Sequence, residues 1–399
     1  MPEGLLSGLK VLDLGRHVAG PYCAKLMAGL GAEVVKVERP GRGDPARRVG
    51  PFPGDVPHPE KSALFLYLNT GKKGVTLNLT TPTGRELFKR LVEWADVLVE
   101  NFSPGVLPSL GLDYPVLAAI NPGLVRVSIS AFGQTGPHRD HRAQEINLYA
   151  AGGLMYITGD LDREPLQEGA RLSQYGAGQN AFVAALSAIW GREITGEGQH
   201  VDVSIAEYNV SILENLVTMY TYKGDVVVRT GNRGYGRAAW GIYPCRDGHV
   251  GIIAAPDHRW PAMAQLMGIE ELADPRFGTR YGRQQHADEI DARMLPWLLE
   301  HDRLEIFKGG QERGLAFSYV ATPEDTLKSE HLRARQFFVP IEHPVAGGLE
   351  YPVAPFRASE GELRSGPAPL LGQHNQDVYC RLLGYTPADL NLLYQLEVI

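Results

Sequence analysis

Two hydrophobic periods alternate along the N-terminal half of the chain. Leu9–Leu14 (LKVLDL) is a short apolar run with one acid, the pattern of a buried parallel strand. Gly20-Pro21 opens a helical stretch over Tyr22–Leu30, which Gly29 and Gly31 close, and Ala32–Glu38 (AEVVKVE) is β-rich again. The cycle repeats: Gly74–Leu79 and Asp96–Glu100 read as strands around an amphipathic helix over Gly84–Trp94, and Leu124–Ile129 is a further strand. Ala177–Trp190 is rich in small apolar residues and predicts a buried helix, with a strand at Gln199–Ser204. A long amphipathic helix is expected over Ile205–Tyr220, stopped by Lys223-Gly224. Strands alternating with helices predict an α/β fold with a doubly wound sheet.

The texture changes from about residue 226. Two β-rich runs flank Asp247-Gly248, a strong hairpin dipeptide. Helical patterns follow at 258–268 and 286–308, and from 330 the chain is rich in proline and glycine.

Length and charge narrow the function classes. A chain of 399 residues exceeds one simple core and predicts more than one domain. A formal net charge of −7 gives no global attraction for nucleic acid or anionic membrane, so a phosphate-bearing ligand needs local cations. The cysteines Cys23, Cys245 and Cys380 are far apart and odd in number, which fits neither a zinc ribbon nor a disulfide framework and suits a reducing cytoplasm. The start, MPEGLLSGLKVLDL, lacks the layout of a signal peptide, and no apolar run reaches the roughly 18 residues of a membrane helix.

Several chemistries are weighed on their motifs. The opening βαβ pattern lacks the Gly-x-Gly-x-x-Gly turn, which argues against NAD even though Glu38 ends the second strand. No P-loop and no Gly-x-Ser-x-Gly elbow occurs. His138 and His141 flank Arg139-Asp140; a polar loop explains them better than a metal site, which needs a third ligand, so no metal is expected. Arg16, His17 and Arg39 follow the first two strands, where open α/β sheets bind anionic ligands; on spacing alone, solvated surface charges account for them equally well.

The stretch LKVLDLGRHVAGPYCAKLMAGLGAEVVKVERPGRGDPAR closely resembles the opening of the family III CoA-transferases (CaiB/BaiF), the group containing formyl-CoA transferase, carnitine CoA-transferase and α-methylacyl-CoA racemase. Further similar segments follow in order, among them NTGKKGVTLNL, ADVLVENFSPGVLPSLGL, NPGLVRVSISAFGQTGP, ITGEGQHVDVSIAE, GNRGYGRAAWGIYPCRDG and LRARQFFV. The resemblance implies a large Rossmann-like domain built from both chain ends, a smaller α+β domain and an interlocked ring-shaped dimer. It divides the chain into 1–200 (large domain), 201–225 (connecting helix), 226–330 (small domain), 331–355 (linker) and 356–399 (return to the large domain). It implies coenzyme A or acyl-CoA as substrate, contacted by Arg39, Leu77, Asn101, Phe102 and Arg142 with His17 nearby.

The resemblance also exposes departures. The family's nucleophile is an aspartate that forms a mixed anhydride from the acyl-CoA thioester. Glycines five residues before and four after that aspartate match Gly169 and Gly178, and the position between them is Gln174. A glutamine amide is uncharged and not usefully nucleophilic. The histidine of the racemase branch is matched by Gln144, and two CoA-binding cations by Thr80 and Ser109. Glu145 is the retained carboxylate. Three expectations follow: the non-catalytic subunit of a heteromeric CoA-transferase, such as benzylsuccinate CoA-transferase, with an aspartate-bearing homologue as partner; a self-sufficient acyl-CoA enzyme built on Glu145; or a CoA-binding scaffold.

Overall fold

Val11 and Leu12 of strand β1 (Lys10–Asp13) are fully buried, as a short strand without polar alternation requires. The computed structural model describes residues 4–234, 237–254, 256–363 and 365–399, so Tyr235 and Gly236 of the GNRGYGRAAWGIYPCRDG stretch lie outside the described residues. The chain forms two compact units. One comprises residues up to Gly153, Glu168–Glu214 and Arg333–Ile399; the other comprises Leu154–Gln167 and Asn215–Leu332.

In the first unit β1 is followed by α1 (Ala19–Gly29), β2 (Glu33–Glu38), α2 (Ala63–Leu68), β3 (Lys73–Thr76), α3 (Pro82–Trp94) and β4 (Val97–Glu100). Then come α4 (Val106–Ser109), α5 (Tyr114–Ile120), β5 (Val125–Ser130), α6 (Glu145–Ala151), α7 (Leu172–Thr195), β6 (His200–Ser204) and α8 (Ile205–Ser211). The strands make a six-stranded sheet, order β3-β2-β1-β4-β5-β6, with parallel pairing throughout. The expected α/β class is thus present. The strand order reverses between β1 and β4, and such a reversal opens a crevice beyond the carboxyl ends of the strands.

Local chemistry explains the helices around this sheet. Thr81 Oγ1 accepts the Gly84 N–H (3.0 Å) and Pro82 occupies the first turn of α3. Leu87, Phe88, Leu91 and Val92 then recur at helical spacing and are buried. Helix α7 buries a row of small residues, Ala177, Ala181, Ala185 and Ala188, in the core it shares with Cys23 and Met27 of α1. A Cβ on Gly178 would lie 2.6 Å from Ala19 O, so only glycine permits this approach. The C-terminal segment returns to the sheet: Asn375 Oδ1 accepts the Thr76 N–H and Tyr379 Oη donates to Thr76 O, each at 2.8 Å.

In the second unit, α9 (Leu216–Lys223) precedes the antiparallel strands β7 (Trp240–Cys245) and β8 (Gly248–Ile253), joined by the expected turn. Helices α10 (Trp260–Met267), α11 (Arg280–Gln285), α12 (Ala287–Glu300) and α13 (Arg303–Glu312) follow, and β9 (Ala316–Tyr319) adds to β8. Their core includes Trp260, Met263, Phe277, Ile290, Met294 and Phe317.

Three expectations are corrected. The helix expected over Ile205–Tyr220 is two helices, α8 and α9, interrupted where Glu214 takes a left-handed backbone (φ 51°). The pattern at 286–308 is also two helices; Asp302 is extended between them, its carboxylate held by Arg246 Nε (2.8 Å). The segment 331–355 contains an antiparallel hairpin, β10 (Phe338–His343) and β11 (Gly347–Pro352), rather than a plain linker. Ile341 and Tyr351 of that hairpin pack with Phe65 and Leu66 in a buried cluster. Among the described residues no helix is long and apolar enough to cross a membrane.

Candidate functional site

A cleft of about 220 Å³ opens beyond the carboxyl ends of the strands at the reversal point. Arg39, Leu77 and Phe102 line it, as do Leu14, Gly15, Arg16, Thr80 and Ser109. The first three are predicted contacts; Thr80 and Ser109 are the positions at which the resemblance implies missing cations. Arg16 stacks its guanidinium over the Phe102 ring at 4.5 Å. Thr80 Oγ1 donates to Asn78 Oδ1 (2.6 Å) and Ser109 Oγ to Val106 O (2.7 Å), so both hydroxyl protons are spent locally.

The other predicted residues divide. Asn101 acts on the protein itself: its Oδ1 accepts the Arg16 N–H (2.7 Å) and its Nδ2 donates to Arg16 O (2.9 Å), clamping the loop after β1. His17 has a left-handed backbone (φ 57°) and donates its N–H to Asp44 Oδ1 (3.0 Å). Partial burial lowers the His17 pKa, Asp44 opposes that, and Arg171, Arg16 and Arg48 lower it further. Those arginines form a cationic field around His17 that suits an anionic ligand. Arg142 is exposed and does not line the cleft. Gln144 is exposed too, with its N–H donating to Asn147 Oδ1 (2.9 Å) at the start of α6.

Beneath the cleft lies a buried charge network. Lys36 Nζ meets Asp44 Oδ2 at 3.0 Å and donates to Gly15 O (2.8 Å). Burial disfavours the Lys36 ammonium, but Asp13, Asp44 and Glu38 outweigh it and raise its pKa. Arg47 grips both oxygens of Glu38 at 2.7 Å and reaches Glu60 at 2.6 Å, so the turn carrying Arg39 is anchored on both sides. Sequence reading missed Lys36 and Asp44 as site-forming residues. A lysine inside the otherwise apolar run AEVVKVE was the available signal.

A second group of predicted residues meets at the start of α7. Glu145 Oε1 accepts the Ser173 N–H (2.8 Å) and Glu145 Oε2 accepts from Gln174 Nε2 (3.2 Å). The nearly buried carboxylate thus satisfies one of the free N–H groups of the α7 N-terminus. Asn209, fully buried on α8, donates to Ser173 Oγ (3.1 Å) and Leu148 O (2.9 Å) and ties α6, α7 and α8 together. Asn209 was not anticipated, because its partners lie far away in sequence. His138 and His141, with ring centroids 4.6 Å apart, pack on Phe132. Among the described residues no group of three metal-ligating side chains is found.

The cleft at the strand-order reversal thus carries Arg16 and Arg39, local cations of the kind an anionic ligand needs. The model of CoA-transferase family III matches residues 6–375. The chain belongs to CoA-transferase family III. A succinyl-CoA–D-citramalate CoA-transferase of Chloroflexus aurantiacus is 38% identical over 405 residues, covering 100% of this chain and 99% of that protein. A succinyl-CoA–L-malate CoA-transferase alpha subunit, also of Chloroflexus aurantiacus, is 32% identical, covering 99% of this chain and 92% of the relative. Among solved structures, a CaiB/BaiF family protein from Brucella suis superposes with a TM-score of 0.87 at 32% identity, covering 95% of this chain and 100% of that one. Family III membership makes CoA or acyl-CoA the substrate class of this chain.

Proposed function

We propose that this chain is the non-catalytic subunit of a heteromeric family III CoA-transferase, which moves CoA from an acyl-CoA to a carboxylic acid. The observation that carries the reading is Gln174. It stands at the position where the family resemblance puts the nucleophilic aspartate, and its amide is bonded to Glu145. An amide there cannot open a thioester by carboxylate attack. A relative similar along nearly the whole chain is an alpha subunit, which supports a two-subunit assembly.

In this reading an aspartate-bearing homologue supplies the carboxylate. That carboxylate attacks the thioester carbonyl, the C–S bond breaks, and CoA leaves as the thiolate. The thiolate then attacks the aspartyl carbonyl of the resulting mixed anhydride and releases the donor acid as its carboxylate. The acceptor's carboxylate attacks the aspartyl thioester, freeing the thiolate again, which takes the acceptor's acyl group from the second anhydride and restores the aspartate. This chain completes the interlocked dimer and offers its own CoA cleft, with Arg39, Leu77 and Phe102 in the lining. Small dicarboxylic acids are the acceptor and donor class, by analogy with the relatives that act on succinyl-CoA.

The test is co-expression with an aspartate-bearing homologue, native mass spectrometry and a CoA-transfer assay. A one-to-one heterodimer carrying all the activity supports the reading. A homodimer that ignores the homologue and transfers CoA by itself rejects it in favour of chemistry built on Glu145. A CoA-binding homodimer inactive alone and with the homologue marks a scaffold.

A further inference from the structure

Lys25 of α1 forms part of a second cleft, about 60 Å³, with Tyr22, Tyr67 and Thr70 beside it and Ile341 and Tyr351 of the β10–β11 hairpin opposite. Its Nζ donates to Tyr67 O (2.7 Å) and Thr70 Oγ1 (2.8 Å) and lies 4.2 Å from the centroid of the Tyr67 ring. Among the described residues it forms no ion pair, and the charged group acting on it is a second cation, Lys72. Lys72 makes the contrast. Its ammonium has three acceptors, Asp13 Oδ2 at 2.7 Å, Pro21 O at 2.8 Å and Asn69 Oδ1 at 2.9 Å, one of them a carboxylate. Lys25 has two, both neutral, although it lines an open cleft. An ammonium has three N–H donors; beside the two neutral oxygens the third has the Tyr67 ring, a weaker partner than a carboxylate. A desolvated cation without a counter-charge is unfavourable, and burial together with Lys72 brings the Lys25 pKa down to about 7. A bound carboxylate would remove that cost.

Size and surroundings define the ligand. The cleft, at about 60 Å³, suits a small acid rather than an acyl-CoA. Leu26 and Ile341 offer apolar wall for its methylenes. Tyr22 meets Tyr175 edge to face at 4.9 Å, and Tyr67 lies 6.3 Å from the same ring. Tyr175 lies in the first turn of α7, so these rings link the cleft wall to the start of that helix.

We propose that the Lys25 cleft is a binding subsite for one carboxylate of a small dicarboxylic acid. The dicarboxylate identity rests on the CoA-transfer reading above; the anion subsite does not. Calorimetric titration of the full-length protein with succinate, in the absence of CoA, tests the subsite by itself. Succinate is expected to bind, succinamide is not, Lys25→Met is expected to weaken succinate about tenfold or more, and Lys25→Arg to keep most of the affinity. Lys25→Met also strips the donor from Tyr67 O, so a measurement on the unaltered protein accompanies it: the rate of Lys25 acylation by acetic anhydride, read by peptide mass spectrometry. Succinate is expected to slow that rate several-fold. Equal succinate affinity in Lys25→Met, no succinate binding, or acylation indifferent to succinate overturns the subsite. CoA transfer by the co-expressed complex is scored separately, so failure of the functional reading leaves the binding result readable.

Discussion

Gln174 Nε2 donates to Glu145 Oε2 at 3.2 Å, and the neighbouring Ser173 N–H donates to the other carboxylate oxygen at 2.8 Å. Glu145 is therefore engaged through both oxygens by the first turn of α7, the turn that carries Gln174. A carboxylate bound in this way holds a helix start in place. A glutamine suits the position because its amide can donate to Glu145, which an ionised aspartate cannot do.

Gln174→Asp is expected to give at best weak CoA transfer by the isolated chain. The new carboxylate would be one methylene shorter and would face Glu145, so like-charge repulsion would raise the pKa of one of the pair. Hydroxylamine trapping after mixing with acyl-CoA reads the acyl-enzyme directly. Adduct formation at the full rate of an aspartate-bearing homologue would show that Glu145 and the CoA cleft impose no such handicap.

Glu145→Gln is expected to destabilise the chain by about 1–2 kcal/mol in urea denaturation, because a charge-assisted acceptor at the α7 N-terminus becomes a neutral one. If Glu145 is structural in this sense, the loss appears in stability and in complex assembly. Wild-type stability combined with abolished CoA transfer would instead assign Glu145 to the chemistry.

Thr80→Lys together with Ser109→Arg is expected to raise CoA affinity about tenfold at low salt, with the gain shrinking as salt screens the added charges. Both positions line the cleft, and both present hydroxyls already bonded to the protein. Titration calorimetry with CoA at low and high salt measures it. Unchanged affinity at low salt would mean that CoA phosphates do not pass these positions.

Lys25 supplies a pH signature. Its pKa falls from 10.5 to about 7 on folding, through burial first and then Lys72. Between those values the unfolded chain binds more protons than the folded one, so this group makes stability rise with pH. Lys25→Met removes that rise. The variant's thermal stability relative to wild type is therefore expected to decline from about pH 7 to about pH 9. Lys72, itself lowered to about 8 by burial despite Asp13, is coupled to Lys25; loss of the Lys25 charge relieves it, which shrinks its own rise with pH and acts in the same direction. A difference in melting temperature that stays flat over this range would place the Lys25 ammonium in water.

Much of the sheet was legible in the chain. Strands buried on both faces leave unbroken apolar runs, and Val97–Glu100 and Val125–Ser130 are buried at every residue. The long helix expected over Ile205–Tyr220 was not a sound reading, because amphipathic spacing continues through a break that a single left-handed residue, Glu214, introduces. The hairpin within 331–355 was hidden for another reason. Its exposed edge carries Pro340, Glu342 and Glu350, which dilute the apolar alternation of Ile341 and Tyr351.

The order of residues by itself determined the α/β class, the family and the identity of Gln174, since each depends on local periodicity or on residue types at fixed spacing. It could not decide what those residues touch. Asn101, expected as a ligand contact, clamps Arg16; Glu145, the retained acid, caps the helix that bears Gln174. Lys25 and Lys72 are both lysines near the sheet, yet Lys72 meets Asp13 while Lys25 faces an open cleft with no counter-charge among the described residues. These roles depend on which distant side chains the fold desolvates together. Coulomb and hydrogen-bond energies act over a few ångströms of space and are blind to separation along the chain, so only the tertiary structure could assign them.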